Sequence, residues 1–129
     1  MERSLFELKP TTRWIGRRID IHREVDSTNL VAERLAQRGA PEGLLVLADA
    51  QSAGRGRLGR RFFSPPGRSL YLSLLLRPRA APETLSQYVF AASLAVADTV
   101  RAALPTALDV EIKWPNDVLV DGRKIAGIL

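Results

Sequence analysis

Two short stretches of the chain concentrate the side chains that could hold or move charge. The first is GRGRLGRR, residues 54–61, with four arginines and three glycines in eight positions. A guanidinium is a planar fork of N–H donors that grips carboxylates and phosphates through paired hydrogen bonds. Glycines between the arginines let the backbone close around what is gripped. In extended chain Arg55 and Arg57 point the same way while Leu58 anchors, and a helix is not expected. A solvated arginine loop would account for the charge but has no use for glycines at that spacing. Arginine–glycine segments also bind single-stranded nucleic acid, yet they do so in long disordered tracts with aromatic platforms. The stretch is therefore read as a holder for a small phosphate-bearing ligand.

The second stretch is KWPNDVLVDGRKIAGIL, residues 113–129. Two of the chain's three lysines, Lys113 and Lys124, fall in it, one at a strand end and one just after a hairpin turn. From there both side chains can face a common cavity. A lysine offers a point charge to a carboxylate and a phosphate brought together. Pro115 stops the strand, and Asn116 and Asp117 either cap the turn or, functionally, let Asp117 accept hydrogen bonds or orient a cation. Gly127 leaves room for a ligand against the strand.

Composition narrows the chemistry further. The 129 residues carry no cysteine and one histidine, His22. Disulfide frameworks, thiolate nucleophiles and histidine-based metal clusters or triads are thus excluded within this chain. Of its 19 basic residues 16 are arginines, and the net charge of +5 makes an anionic ligand the prior expectation. There is no apolar run of membrane-spanning length, and the opening MERSLFELKP is unlike a secretory signal. The expected location is the cytoplasm.

Those groups need a frame, and periodicity supplies one. Residues 14–25 alternate as a half-buried strand, with a slip of phase before Val25. Asp26, Ser27 and Thr28 offer helix N-caps; Val31, Ala32 and Leu35 form a helical stripe, and Gly39 with Pro41 ends it. Residues 44–48 and 70–76 are short apolar runs that read as buried strands. From Pro82 to about Ala103, apolar positions 85, 88, 89, 92, 96, 100 and 103 describe an amphipathic helix. Strands are expected over 110–114, 118–120 and 124–129, with Asp121-Gly122 a two-residue hairpin turn. The chain stops inside an apolar strand, which predicts a truncated domain. The expected fold class is α+β, a mixed, mostly antiparallel sheet with flanking helices.

Assembled in order, D-S-T-N at 26–29, A-D-A-Q-S-A-G-R-G-R-L-G-R at 48–60, F-S-P-P-G at 63–67, L-Y-L-S-L at 70–74, K-W-P-N-D-V and R-K-I-A-G-I-L resemble the biotin protein ligases (biotin–acetyl-CoA-carboxylase ligases). The resemblance runs from about Ile19 to Leu129. It implies the class II aminoacyl-tRNA synthetase/biotin ligase-like catalytic domain, of which 1–129 would be the N-terminal part, without a DNA-binding domain or a C-terminal β-barrel. It implies an ATP-dependent ligase that forms biotinyl-5′-AMP and transfers biotin to a lysine of a biotin carboxyl carrier domain of acetyl-CoA carboxylase or a related carboxylase. Biotin, ATP and Mg2+ are then the expected ligands. No nucleic acid or membrane partner is expected, and a homodimer is allowed.

By the same resemblance Arg57 and Lys124 are the catalytic residues. Ser27, Thr28, Asn29, Gln51, Arg55, Gly56, Arg57, Lys124 and Gly127 would bind biotin. Arg57, Arg60, Phe62, Asn116, Asp117 and Lys124 would bind the nucleotide, with Asp117 and Asn116 on the magnesium side. The resemblance further implies that 54–61 is mobile without ligand and ordered with biotin and ATP. Two alternatives are a lipoate-attaching ligase or transferase of the same fold and a non-enzymatic nucleic-acid-binding module.

Overall fold

The computed structural model describes residues 11–129; Lys9 and the opening MERSLFELKP lie outside them. The chain divides into two compact units, one ending at Pro78 and the other spanning Arg79–Leu129. Each has its own three-stranded sheet and helix.

In the first unit β1 (Ile19–Val25) runs parallel to β2 (Leu45–Gln51), and β3 (Tyr71–Leu74) pairs antiparallel with the other side of β2. Two consecutive parallel strands need a crossover, which α1 (Thr28–Gln37) provides. Its Val31 and Ala32 bury against Leu44 and Val46, with Val25, Leu35, Ala40 and Leu75 closing the cluster. The registers Asp20↔Val46, His22↔Ala48 and Glu24↔Ala50 put three polar β1 residues on the sheet face that carries α1. The strand expected from Trp14 begins only at Ile19. Gly16, at φ 71°, turns the chain, and its N–H is donated to the Gly43 carbonyl at 2.8 Å.

Ser27 occupies the N-cap position of α1 in extended conformation, but its side chain makes no capping bond. Asp26 takes over the local work: its Oδ1 accepts the Ser27 N–H at 2.7 Å, and its carboxylate accepts two bonds from Arg34 at 2.9 and 3.1 Å. Beyond the other end of α1, Gly39 adopts φ 83° as the expected left-handed stop. There Arg77 donates to the carbonyls of Ala36 and Ala40, both at 2.9 Å, satisfying acceptors that the ending helix leaves over.

In the second unit a single 3₁₀ turn (Pro82–Thr84) precedes α2 (Ser86–Ala103), and β4 (Val110–Lys113), β5 (Asp117–Val120) and β6 (Arg123–Gly127) form an antiparallel meander. Ala97 packs on Val110 and Val118, flanked by Val96, Val100, Ile112, Val120, Ala126 and Ile128. The predicted stripe differs at its start, where Leu85 and Tyr88 are exposed. The residues fully buried on α2 are the small Ser93 and Ala97, since small side chains let helix and sheet approach closely. Asp121 and Gly122, at φ 47° and 74°, make the two-residue turn as expected. Three strand pairs are antiparallel and one parallel, so the α+β, mostly antiparallel class holds, distributed over two sheets.

Candidate active site

Where α1 begins, the first unit gathers uncharged polar groups and buries them. Ser27 is 2% exposed and Thr28 4%. Thr28 donates to Gln51 Oε1 twice, from its backbone N–H at 2.9 Å and from its hydroxyl at 3.2 Å. Gln51, the last residue of β2, donates from Nε2 to Ser64 Oγ at 2.9 Å, and Ser64 donates to the Phe62 carbonyl at 3.1 Å. From β3, Ser73 Oγ donates to Thr28 Oγ1 at 2.9 Å and also meets the Asn29 side-chain amide. The structure therefore brings together Thr28, Asn29 and Gln51, three of the residues named from sequence. It adds Ser64 and Ser73, which sequence reading missed. Lone serines carry little signal, although Ser73 sits at an inward-facing position of an alternating strand, which hinted at a buried hydroxyl.

The arginine-rich segment leaves directly from this network. It folds as a small hairpin: Phe62 N–H is donated to Gly54 O at 2.8 Å, Gly56 N–H to Arg60 O at 2.7 Å, and Arg55 bridges to Arg61. Extended chain ends at Gly56, because Arg57–Gly59 form a 3₁₀ turn with Leu58 at φ 57°. Both expectations, of no helical turn and of Leu58 as an anchor, are corrected: Leu58 is 88% exposed at the tip. Arg57 and Arg60 flank that tip. Gly56 has its N–H committed to the Arg60 carbonyl. A Cβ added at Gly54 would fall 2.4 Å from the Phe62 carbonyl oxygen and 2.6 Å from Ser64 Oγ, so glycine is required there for the arms to close.

In the second unit the register pairs Glu111↔Leu119↔Lys124 and Lys113↔Asp117↔Gly127 lie across one sheet. Cross-strand partners share a face, and this is the face away from the α2 core residues Val110, Ile112 and Val118. Lys124 Nζ sits 2.8 Å from Asp117 Oδ1. A Cβ on Gly127 would stand 3.0 Å from that Nζ and 3.5 Å from Asp117 Oδ1. Gly127 thus opens the space that the lysine crosses to reach its carboxylate, a role in addition to the one read from sequence. Asn116 donates from Nδ2 to Ile128 O at 2.8 Å, and Ile128 N–H returns to Asn116 O at 2.8 Å, fastening the end of β6 to the turn. Beside it Trp114 stacks on Phe90 with ring centroids 4.3 Å apart.

Among the described residues no group of three or more His, Cys, Asp or Glu side chains could hold a metal ion. Asp117, the carboxylate expected near magnesium, is engaged with Lys124, so the side chains present do not make a magnesium site by themselves. A hollow of about 490 Å3 opens between β1 and α1, lined by Asp20, His22, Glu24, Asp26, Arg34 and Arg38 among others. It contains none of the predicted site residues, and its three carboxylates, Asp20, Glu24 and Asp26, outnumber its two guanidiniums, Arg34 and Arg38; Asp26 holds Arg34, and His22 Nε2 lies 3.0 Å from Asp20 Oδ2. The Arg34 guanidinium, with the Ser27 N–H, holds the Asp26 carboxyl down at about 2 against an ordinary 3.8, and the same pairing raises Arg34. Such a hollow has no positive surplus to offer an anion.

Known proteins resemble this chain in sequence and fold. The model of the biotin/lipoate A/B protein ligase family matches residues 19–129. The biotin–[acetyl-CoA-carboxylase] ligase of Paracoccus denitrificans is 45% identical over 104 residues, which is 81% of this chain and 42% of that protein. The structure of the biotin protein ligase from Aquifex aeolicus in complex with biotin and ATP superposes with a TM-score of 0.73 at 37% identity, over 88% of this chain and 46% of that one. The Leishmania major biotin protein ligase in complex with biotinyl-5-AMP gives 0.70 at 30% identity, over 88% and 51%. The chain spans well under half the length of the curated relatives it matches.

Proposed function

The chain belongs to the biotin/lipoate A/B protein ligase family, and on that premise we propose that it supplies the acid-binding and charge-stabilising part of an ATP-dependent biotin–protein ligase. The observation that carries this reading is the continuity, within one unit, between a hydrogen-bonded set of neutral donors and acceptors at Thr28, Asn29 and Gln51, of which Thr28 is buried, and a hairpin bearing four arginines. Biotin has that polarity: a neutral ureido head that needs paired hydrogen bonds and a carboxylate tail that needs a cation. Ser27, Thr28, Asn29 and Gln51 take the head, and Arg55 with Gly56 takes the tail.

In the first step a biotin carboxylate oxygen attacks the α-phosphorus of ATP, and the bond to pyrophosphate breaks. Two anions approach, and negative charge builds on the phosphoryl oxygens. Fixed cations that meet this charge lower the barrier. Arg57 and Lys124 serve as those cations, Lys124 steadied by Asp117 until substrates arrive. Arg60, Phe62, Asn116 and Asp117 belong to the nucleotide side; magnesium, when bound, neutralises phosphate charge. In the second step a lysine amine of a biotin carboxyl carrier domain attacks the acyl carbon, AMP leaves, and the amine loses a proton. Ligand-induced ordering of 54–61 keeps water from the adenylate. No helix among the described residues is long and apolar enough to cross a membrane, and we place the enzyme in the cytoplasm with its carboxylase substrate, as a monomer or homodimer.

The test is adenylate formation by the full-length protein with biotin and with lipoate, followed as pyrophosphate release, for wild type and Lys124→Ala. Biotin-dependent release that drops by about a hundredfold or more in the variant is expected for a lost transition-state cation. Lipoate preference, or steeply salt-dependent oligonucleotide binding without biotin turnover, would replace this reading.

A further inference from the structure

Gln51 is fully oriented by its neighbours. Both lone-pair directions of Oε1 are taken by Thr28, through its N–H at 2.9 Å and its hydroxyl at 3.2 Å, so the amide nitrogen must face the other way, to Ser64 Oγ at 2.9 Å. Ser64 is 5% exposed and stands at an exchange point. It accepts from the Gln51 amide and donates to the Phe62 carbonyl at 3.1 Å, while the main chains are tied by Gln51 N–H to Ser64 O, also at 3.1 Å. Phe62 in turn gives its N–H to Gly54 O at 2.8 Å, the bond that closes the base of the arginine hairpin. A side-chain amide donor cannot be joined to a carbonyl through an apolar group, nor through a group that only accepts. A hydroxyl, able to accept and donate at once, is the chemistry required. The absence of a side chain at Gly54 makes the space, since a Cβ there would lie 2.6 Å from Ser64 Oγ.

We propose that Ser64 is a positioning residue whose hydroxyl transmits the orientation of the Gln51 amide to the base of the 54–62 hairpin, so that occupation of the neutral site and the posture of the arginines are coupled. The proposal rests on the biotin reading above and assigns Ser64 no direct contact with substrate. A ligand that borrows an N–H of Gln51 pulls on the amide, on Ser64 and on the Phe62 carbonyl together. Conversely, a hairpin held closed keeps Gln51 turned for the ligand. The coupling is set by neutral hydrogen bonds and is expected at about tenfold in affinity, which is about 1.4 kcal/mol.

The experiment uses the full-length protein as wild type, Ser64→Ala, Gln51→Ala and the double variant. Biotin affinity is read by calorimetry, and tryptic cleavage of the arginine hairpin is read with and without saturating biotin. Expected are biotin binding about tenfold weaker in Ser64→Ala, a hairpin no longer protected even when biotin is saturating, and a double variant no weaker than Gln51→Ala. Ser64→Thr, which keeps the hydroxyl, restores protection. If Ser64→Ala does not fold, Ser64→Cys keeps the size, weakens both bonds and supplies the same comparison. Wild-type affinity and protection in a folded Ser64→Ala or Ser64→Cys, or penalties that add in full, overturn the role of Ser64 alone. A wild type that does not bind biotin overturns the ligase reading and this proposal with it.

Discussion

At the scale of the residue, Lys124 and Gly127 form a unit although only one of them is charged. The lysine reaches Asp117 across the space a side chain at 127 would fill. Gly127→Ala is expected to leave the fold intact, because the atom in the way is the far end of a flexible chain, but to displace Nζ. Misplacing a reacting group by part of an ångström is worth about ten- to a hundredfold in rate, so on the proposed role of Lys124 adenylate formation should fall by that factor while biotin affinity changes less; comparing the two constants checks it. Asp26 offers a second prediction. Its carboxyl is held at about 2 by Arg34 and the Ser27 N–H, lower than in the unfolded chain, so the pair stabilises the fold fully above the ordinary carboxylate range. That contribution is lost as pH falls from about 3.8 through about 2. In Arg34→Ala, NMR titration should find Asp26 moved up toward its ordinary value. The stability difference from wild type should be widest at neutral pH and vanish below about 2.

At the scale of the element, the arginine hairpin is a compromise between closure and strain. Its base is secured by Phe62–Gly54 and Gly56–Arg60 hydrogen bonds, yet its tip holds Leu58 in the left-handed region at φ 57°. A leucine there costs about 1–2 kcal/mol that asparagine mostly avoids. Leu58→Asn should therefore slow ligand-free tryptic cleavage within 54–61 severalfold without weakening biotin binding. The helices differ in how they are finished. For α1 the serine N-cap is silent, and Asp26 with Arg34 at one end and Arg77 near the other make the closing contacts. Asp26 was among the caps legible in the sequence, but Arg34 lies eight residues from it and Arg77 forty-one and thirty-seven residues from the carbonyls it serves, so these two partners were not.

At the scale of the whole molecule, each unit rests on a small apolar core, and in the second that core centres on Val118, which is 0% exposed. Val118→Ala should lower stability by about 2 kcal/mol, read as a shift in denaturant midpoint at unchanged slope. Much of the architecture was legible. Alternation gave the strands within a few residues, and the Asp121-Gly122 pair gave its hairpin. What stayed hidden is long-range or small. Gly16 delayed the start of the first strand through a turn to Gly43, α2 buries Ser93 and Ala97 rather than Leu85 and Tyr88, and Ser64 and Ser73 gained meaning only once β3 and the hairpin return were laid beside Gln51. Periodicity reports which face of an element is apolar; it does not report which hydroxyl an amide will find.

The Lys124–Asp117 contact has one more implication. An ammonium with its own internal counterion is a poorer trap for stray chloride or acetate than a bare one, because each has to compete with a carboxylate already seated at 2.8 Å. Only a solute presenting several negative oxygens at once has the Coulombic advantage to take the lysine away. On the ligase reading, moderate changes in buffer anion are therefore expected to leave pyrophosphate release nearly flat.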